Sequence, residues 1–273
     1  MTTRYKLTLE YDGTPFVGWQ TQTVGTSLQQ VLGQAIEKFC GERVAVHGAG
    51  RTDARVHARG QVAHIDLDKH TSGDIICGAL NFHLRPHPVA VLHAEAVAPD
   101  FHARFSAIGR RYRYRIVNRR AALALDADRA WHVVYPLDVQ RMHKAARALI
   151  GHHDFSSFRA ALCQAKSPIR TLERLDVTRH GEDIFFDVEA RSFLHNQVRI
   201  MVGTLKLVGE GKWPPGQVAE ALAACRREAA GPTAPPEGLC LEEVRYGAVS
   251  ARQYQSGAQH FEQVVDHEDG DTE

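Results

Sequence analysis

Much of what usually identifies a protein's chemistry is missing from this chain. Its five cysteines, Cys40, Cys77, Cys163, Cys225 and Cys240, are scattered, and no two form a C-x-x-C pair. That excludes a disulfide framework and a thiol redox motif, and it fits a reducing, cytoplasmic setting. No apolar run approaches the roughly 20 residues of a membrane span, so no membrane partner is expected. The opening MTTRYKLTLEYDG lacks the apolar core of a signal peptide. G-x-G-x-x-G, the P-loop and G-x-S-x-G are all absent, which removes the dinucleotide, nucleotide-triphosphate and serine-hydrolase readings. There are sixteen histidines, including His152 and His153 and the stretch HLRPH (83–87). None joins a cysteine or carboxylate at metal-ligand spacing such as H-E-x-x-H. Neither a metal nor an organic cofactor is expected, and a histidine- and aspartate-dependent metallohydrolase ranks far below the other readings.

Acids are missing from two stretches. Between Val44 and Ile65, GAGRTDARVHARGQVAH supplies one carboxylate, Asp53, among Arg51, Arg55 and Arg59. Residues 101–120, FHARFSAIGRRYRYRIVNRR, hold seven arginines and no acid. The net charge is only +1, yet six acids sit in the final EQVVDHEDGDTE with no Lys or Arg, so the rest of the chain carries +7. A basic stripe interleaved with aromatics suits a nucleic-acid backbone and its bases. It is also what a solvated strand face looks like.

The periodicities give an order of elements. RYKLTLEY alternates as a half-buried strand. In SLQQVLGQAIEKFCG, Leu28, Val31, Leu32, Ala35, Ile36 and Phe39 recur at helical spacing, with Ser27 and Gln30 as a capping box and Gly41 after the last turn. VAVHGAG and GQVAHIDL read as two further strands, followed by a short helix over 73–83 and the strand VAVLHAEAVA. The second half gives the strand RRYRYRIV, the helix VQRMHKAARALI, the strands LERLDVTRHG and DIFFDVEARSF and the helix NQVRIMVGTLKLVG. A helix over 215–225 and a strand in LCLEEVRY close the series. Each half follows β-α-β-β-α-β, the order of a ferredoxin-like unit. The expected organisation is α/β (α+β), with halves 1–104 and 105–249 and a disordered acidic tail over 250–273.

Three residues attract chemistry. A loop aspartate is most often a turn-former or helix cap, but a strand rather than a helix follows Asp53. Arg199 sits among Val198, Ile200, Met201 and Val202, and its helix has no acid before Glu210. A guanidinium that is partly buried needs an acceptor. Either Arg199 reaches solvent or Asp53 serves it; the pair would favour the carboxylate form that a nucleophile requires. Tyr112 shares a strand face with Tyr114 and Ile116, opposite Arg111, Arg113 and Arg115. It can pack in a core, or stack on an extruded base and move a proton.

GAGRTDARVHARGQVAH resembles the G-R-T-D-A-G-V-H signature of the TruA-type tRNA pseudouridine synthases. The resemblance runs from about residue 4 to 247 and includes EYDGTPFVGWQ (10–20), DFHARFSAIGRRYRYRI (100–116), GHHDFSSFR (151–159) and RSFLHNQVRIMVGTL (191–205). It implies a pseudouridine synthase fold of two ferredoxin-like halves with a central cleft, and a homodimer that binds tRNA. The activity implied is a cofactor-free isomerisation of uridine to pseudouridine in the anticodon arm, at positions 38 to 40. Asp53 matches the family's catalytic aspartate and Tyr112 the tyrosine packed on the target base. Arg199 matches the basic partner of the aspartate, and Arg51 the arginine that fills the gap left by the flipped nucleotide. Arg104 and Arg111 of the basic stripe are further candidate RNA contacts. The departure is Arg55, where the family motif has Gly. If that position needs φ > 0, a Cβ costs on the order of 1 kcal/mol, and a catalytically impaired tRNA-binding paralogue is the alternative.

Overall fold

The computed structural model describes residues 2–247; the expected tail over 250–273 lies outside them. The first half contains β1 (Thr3–Tyr11), α1 (Leu28–Cys40), β2 (His47–Gly48), β3 (His57–Leu67), α2 (Gly73–Leu84) and β4 (Val89–Val97). The second contains β5 (Ala107–Asn118), β6 (Trp131–Val133), α3 (Val139–Ala146), β7 (Gly151–Asp154) and β8 (Ile169–His180). It continues with β9 (Asp183–Ala190), α4 (Gln197–Gly209), α5 (Gln217–Ala223) and β10 (Leu239–Tyr246).

One sheet joins everything, in the order β4-β1-β3-β10-β5-β9-β8-β7, with β2 on β3 and β6 on β5. Within it β4-β1-β3 and β10-β5-β9-β8 each follow ferredoxin-like pairing. The seam is β10, parallel to β3 through Cys240–His57 and Leu241–Ala58, and antiparallel to β5. β10 therefore occupies the flank of β3 that the expected VAVHGAG strand would have extended along. VAVHGAG is reduced to the two residues of β2, paired to β3 at His47–His64 and Gly48–Ala63.

Local chemistry explains the regular elements. Ser27 accepts a hydrogen bond from Gln30 N, and Gly41 ends α1 at φ 79°. Two buried clusters form, one around Tyr5, Leu7, Leu32 and Ile65, the other around Tyr114, Phe186, Val202 and Leu205. They interlock at the seam. Val56 packs into the second cluster, Leu241 and Val244 into the first, and Tyr112 touches both.

Candidate active site

The Asp53 turn is held from beneath by the segment after β1. Tyr11 Oη and Thr52 Oγ1 are 2.9 Å apart, and Gln61 Nε2 donates to Gly50 O at 2.9 Å. Trp19 N donates to Thr52 O at 3.0 Å, and Arg55 N to Phe16 O at 3.3 Å. Gly18 makes this contact possible: its φ is +115°, and a Cβ there would stand 2.9 Å from Thr52 O. Val56 N donates back to Asp53 O at 3.2 Å, closing the turn.

Arg199 arrives from α4. Its Nη1 donates to Asp53 Oδ2 at 3.2 Å and to Asn196 Oδ1 at 2.9 Å, and its Nε to Ala234 O at 2.8 Å. Its side chain is 15% exposed, so it does not reach out to solvent. Asn196 is at φ 61°, a left-handed value that Asn tolerates, and its side-chain oxygen serves Arg199 instead of capping α4. The loop 231–238 passes close to Arg199, through Ala234 N to Arg199 O at 3.0 Å.

The other oxygen of Asp53 has a partner that the sequence reading missed. His195 Nε2 lies 3.4 Å from Asp53 Oδ1. The available signal was its position in the chain, four residues before Arg199 and just ahead of α4. Tyr112 completes the group. Phe193 meets its ring edge-on, with centroids 5.3 Å apart. Burial, and then the neighbouring Asp53 carboxylate, raise the pKa of the Tyr112 hydroxyl. Tyr114 instead packs in the core, its hydroxyl donating to Pro235 O at 2.8 Å.

The arginines divide. Arg51 is exposed and reaches across to Gln164 Oε1 at 3.0 Å. Arg104 is exposed as well. Arg111 lies 3.4 Å from Glu243, on the strand face opposite Tyr112. Arg113 pairs with Asp187 at 2.8 Å, and Arg115 with Asp183 at 2.8 Å. Much of the stripe is thus neutralised within the sheet.

A carboxylate hydrogen-bonded by Arg199 and 3.4 Å from His195, beside a partly buried tyrosine at the seam of two ferredoxin-like units, is the arrangement that the family resemblance implies. A family profile described as tRNA pseudouridine synthase matches residues 8–106 and 145–247. The chain belongs to the tRNA pseudouridine synthase family. Two similar proteins are each named tRNA pseudouridine synthase A. The one from Paramagnetospirillum magneticum is 59% identical over 254 residues, covering 93% of this chain and 99% of that protein. The one from Rhodospirillum centenum is 62% identical over 243 residues, covering 89% and 99%.

Within this tRNA pseudouridine synthase fold, Arg55 takes the conformation that a motif glycine would. Its φ is 65°, and its Nη2 donates to Asp128 Oδ1 at 2.7 Å. The Asp53 turn is intact around it, so the departure gives no support to an impaired paralogue. His47, His64 and His102 do gather, with one ring nitrogen of each within 4.8 Å of the others. However, His64 Nδ1 accepts from Ala103 N at 3.2 Å and His102 Nδ1 from Arg104 N at 3.1 Å. Those bonds put the ring protons on Nε2, which leaves neither ring a lone pair for a metal. Among the described residues no helix is long and apolar enough to cross a membrane.

Proposed function

We propose that the chain converts uridine to pseudouridine in the anticodon arm of tRNA, at positions 38 to 40. The observation that carries this is Asp53 held between Arg199 and His195, beside Tyr112, where the two halves meet. The N1–C1′ bond breaks, the uracil turns, and a C5–C1′ bond forms, while a proton leaves C5 and N1 gains one. Substrate and product are isomers, so the reaction needs neither an oxidant nor a co-substrate.

Asp53 is the nucleophile, its transient bond to the nucleotide breaking again before the product leaves; Arg199 hydrogen-bonds one of its oxygens and His195 stands 3.4 Å from the other. Tyr112 lies under the extruded base and has a hydroxyl to donate. Unstacking a base costs a few kcal/mol, which Tyr112 stacking and arginine–phosphate contacts offset. In this reading Arg51 fills the vacated position and Arg104 contacts the RNA, both side chains being exposed. Arg111, part-exposed beside Glu243, is a further RNA contact in the same reading. Residues 1–104 and 105–249 act as the two walls of the cleft, a division supported by the two buried clusters. A homodimer belongs to the same reading through the family resemblance, and five free thiols support a reducing, cytoplasmic setting.

The test is to map pseudouridine in tRNA after incubation with the protein and with Asp53→Ala. Wild type is expected to modify the anticodon arm, and the variant to bind tRNA without forming product. Product from Asp53→Ala would refute the assignment.

A further inference from the structure

Arg110 lies on β5 two residues before Tyr112 and is 8% exposed. Among the described residues it has no carboxylate partner. It donates to the carbonyl oxygens of Ala49 at 2.7 Å, of Arg104 at 3.0 Å, and of Arg191. Carbonyl dipoles satisfy its N–H groups but do not cancel its charge. Burial lowers its pKa, Tyr112 and Tyr246 oppose that, and the like charges of Arg104 and Arg191 add to it.

Arg104 and Arg191 are themselves exposed. Among the described residues neither side chain meets a carboxylate or donates a hydrogen bond. Arg104 lies over the Phe105 ring, 5.6 Å from its centroid, and Phe105 is 70% exposed. Arg110 thus binds the backbone of both, feels the charge of both, and among the described residues none of the three is paired with an acid. What the array lacks is an anion.

We infer that Arg104, Arg110 and Arg191 form a phosphodiester site that takes one RNA backbone phosphate next to the target nucleotide, with Phe105 as a stacking surface beside it. The inference rests on the proposed RNA-modifying function. Arg110 is the positioning residue: its bonds tie the loop before β5 to the end of β9. The same guanidinium holds Ala49, where the turn to Asp53 begins. Phosphate capture and Asp53 placement therefore share one anchor.

The test measures tRNA affinity against salt in the Asp53→Ala background, where no turnover intervenes. Arg104→Gln and Arg191→Gln should each lower the slope of log K against log salt by about 0.7 to 0.9. Both substituted residues are exposed, so neither variant should disturb folding. A tRNA carrying a single uncharged methylphosphonate linkage beside the target uridine should bind several-fold more weakly to the parent, and no more weakly to Arg191→Gln. Unchanged slopes in both exposed variants would overturn the site while leaving the catalytic reading alone. If the wild-type protein forms no pseudouridine in tRNA, it is the catalytic reading that fails.

Discussion

Arg55 reaches Asp128 across 73 residues of sequence, and in doing so ties the Asp53 turn to the loop between β5 and β6. A second pair runs the other way, from Arg129 of the same loop to Asp12 at 3.4 Å. Both attach the second half's loop to the two segments that build the turn.

The Arg55–Asp128 pair is half-exposed on both sides, and such pairs contribute about 0 to 1 kcal/mol. Glycine at φ 65° relieves a strain of similar size. Arg55→Gly should therefore leave stability within about 1 kcal/mol of wild type and tRNA affinity unchanged. Asp128→Ala should matter only when Arg55 is present, as a double-mutant cycle in urea would show. Weaker tRNA binding by Arg55→Gly would mean that Arg55 contacts phosphate instead.

Two glycines should respond to alanine with opposite signs. Gly18→Ala forces a Cβ toward Thr52 O at a φ of +115°, and should cost more than about 1 kcal/mol and lower turnover at least tenfold. Gly33→Ala, in α1 with nothing within 4 Å of its Cβ, should stabilise by about 0.5 to 1 kcal/mol. Thermal melts and single-turnover rates read both. Full activity in Gly18→Ala would remove the cradle from the account.

The raised pKa of Tyr112 makes it a neutral donor at working pH. Tyr112→Phe should keep the melting temperature and tRNA affinity but lose turnover, with no alkaline limb below pH about 9 in the wild type. Tyr112→Ala should also cost about 1 to 3 kcal/mol, since both clusters lose a partly buried ring. If Tyr112→Phe turns over at the wild-type rate, the hydroxyl has no part in the chemistry.

Burial lowers the pKa of His64 to about 4, helped by Arg4, His102 and His47. The unfolded chain then binds the proton more readily, so this contribution to stability is full above about pH 6.5 and is lost as pH falls toward 4. Between pH 7 and pH 5 the loss should be on the order of 1 to 2 kcal/mol. His64→Asn keeps an acceptor for Ala103 N and should flatten the dependence, measured as urea midpoints at the two pH values. An equal slope in both proteins would exclude His64 as its source.

What the sequence revealed depended on how local the deciding physics was. α1 was legible because its apolar stripe, Ser27 cap and Gly41 terminator all lie within fifteen residues (27–41). Arg199 was legible because a cation stranded in an apolar stripe demands an acceptor, although Asp53 is 146 residues away. VAVHGAG misled because β10, from the far end of the chain, took its pairing edge. His195 carried no burial signal of its own, and an exposed histidine reads as ordinary surface. The arginine stripe alternated as expected, but the acids that neutralise Arg113 and Arg115 lie on β9, and nothing nearby in sequence announces them.

The position of β10 also sets a clock. A chain made from its N-terminus completes β3 and β5 long before residues 239–246 exist. Until that strand slots between them, both edges stand open, and Asp53 and Tyr112 have no fixed relation to each other. A nascent or truncated chain is therefore mute as a catalyst and prone to stick to its neighbours. Competence arrives with β10, the last strand among the described residues.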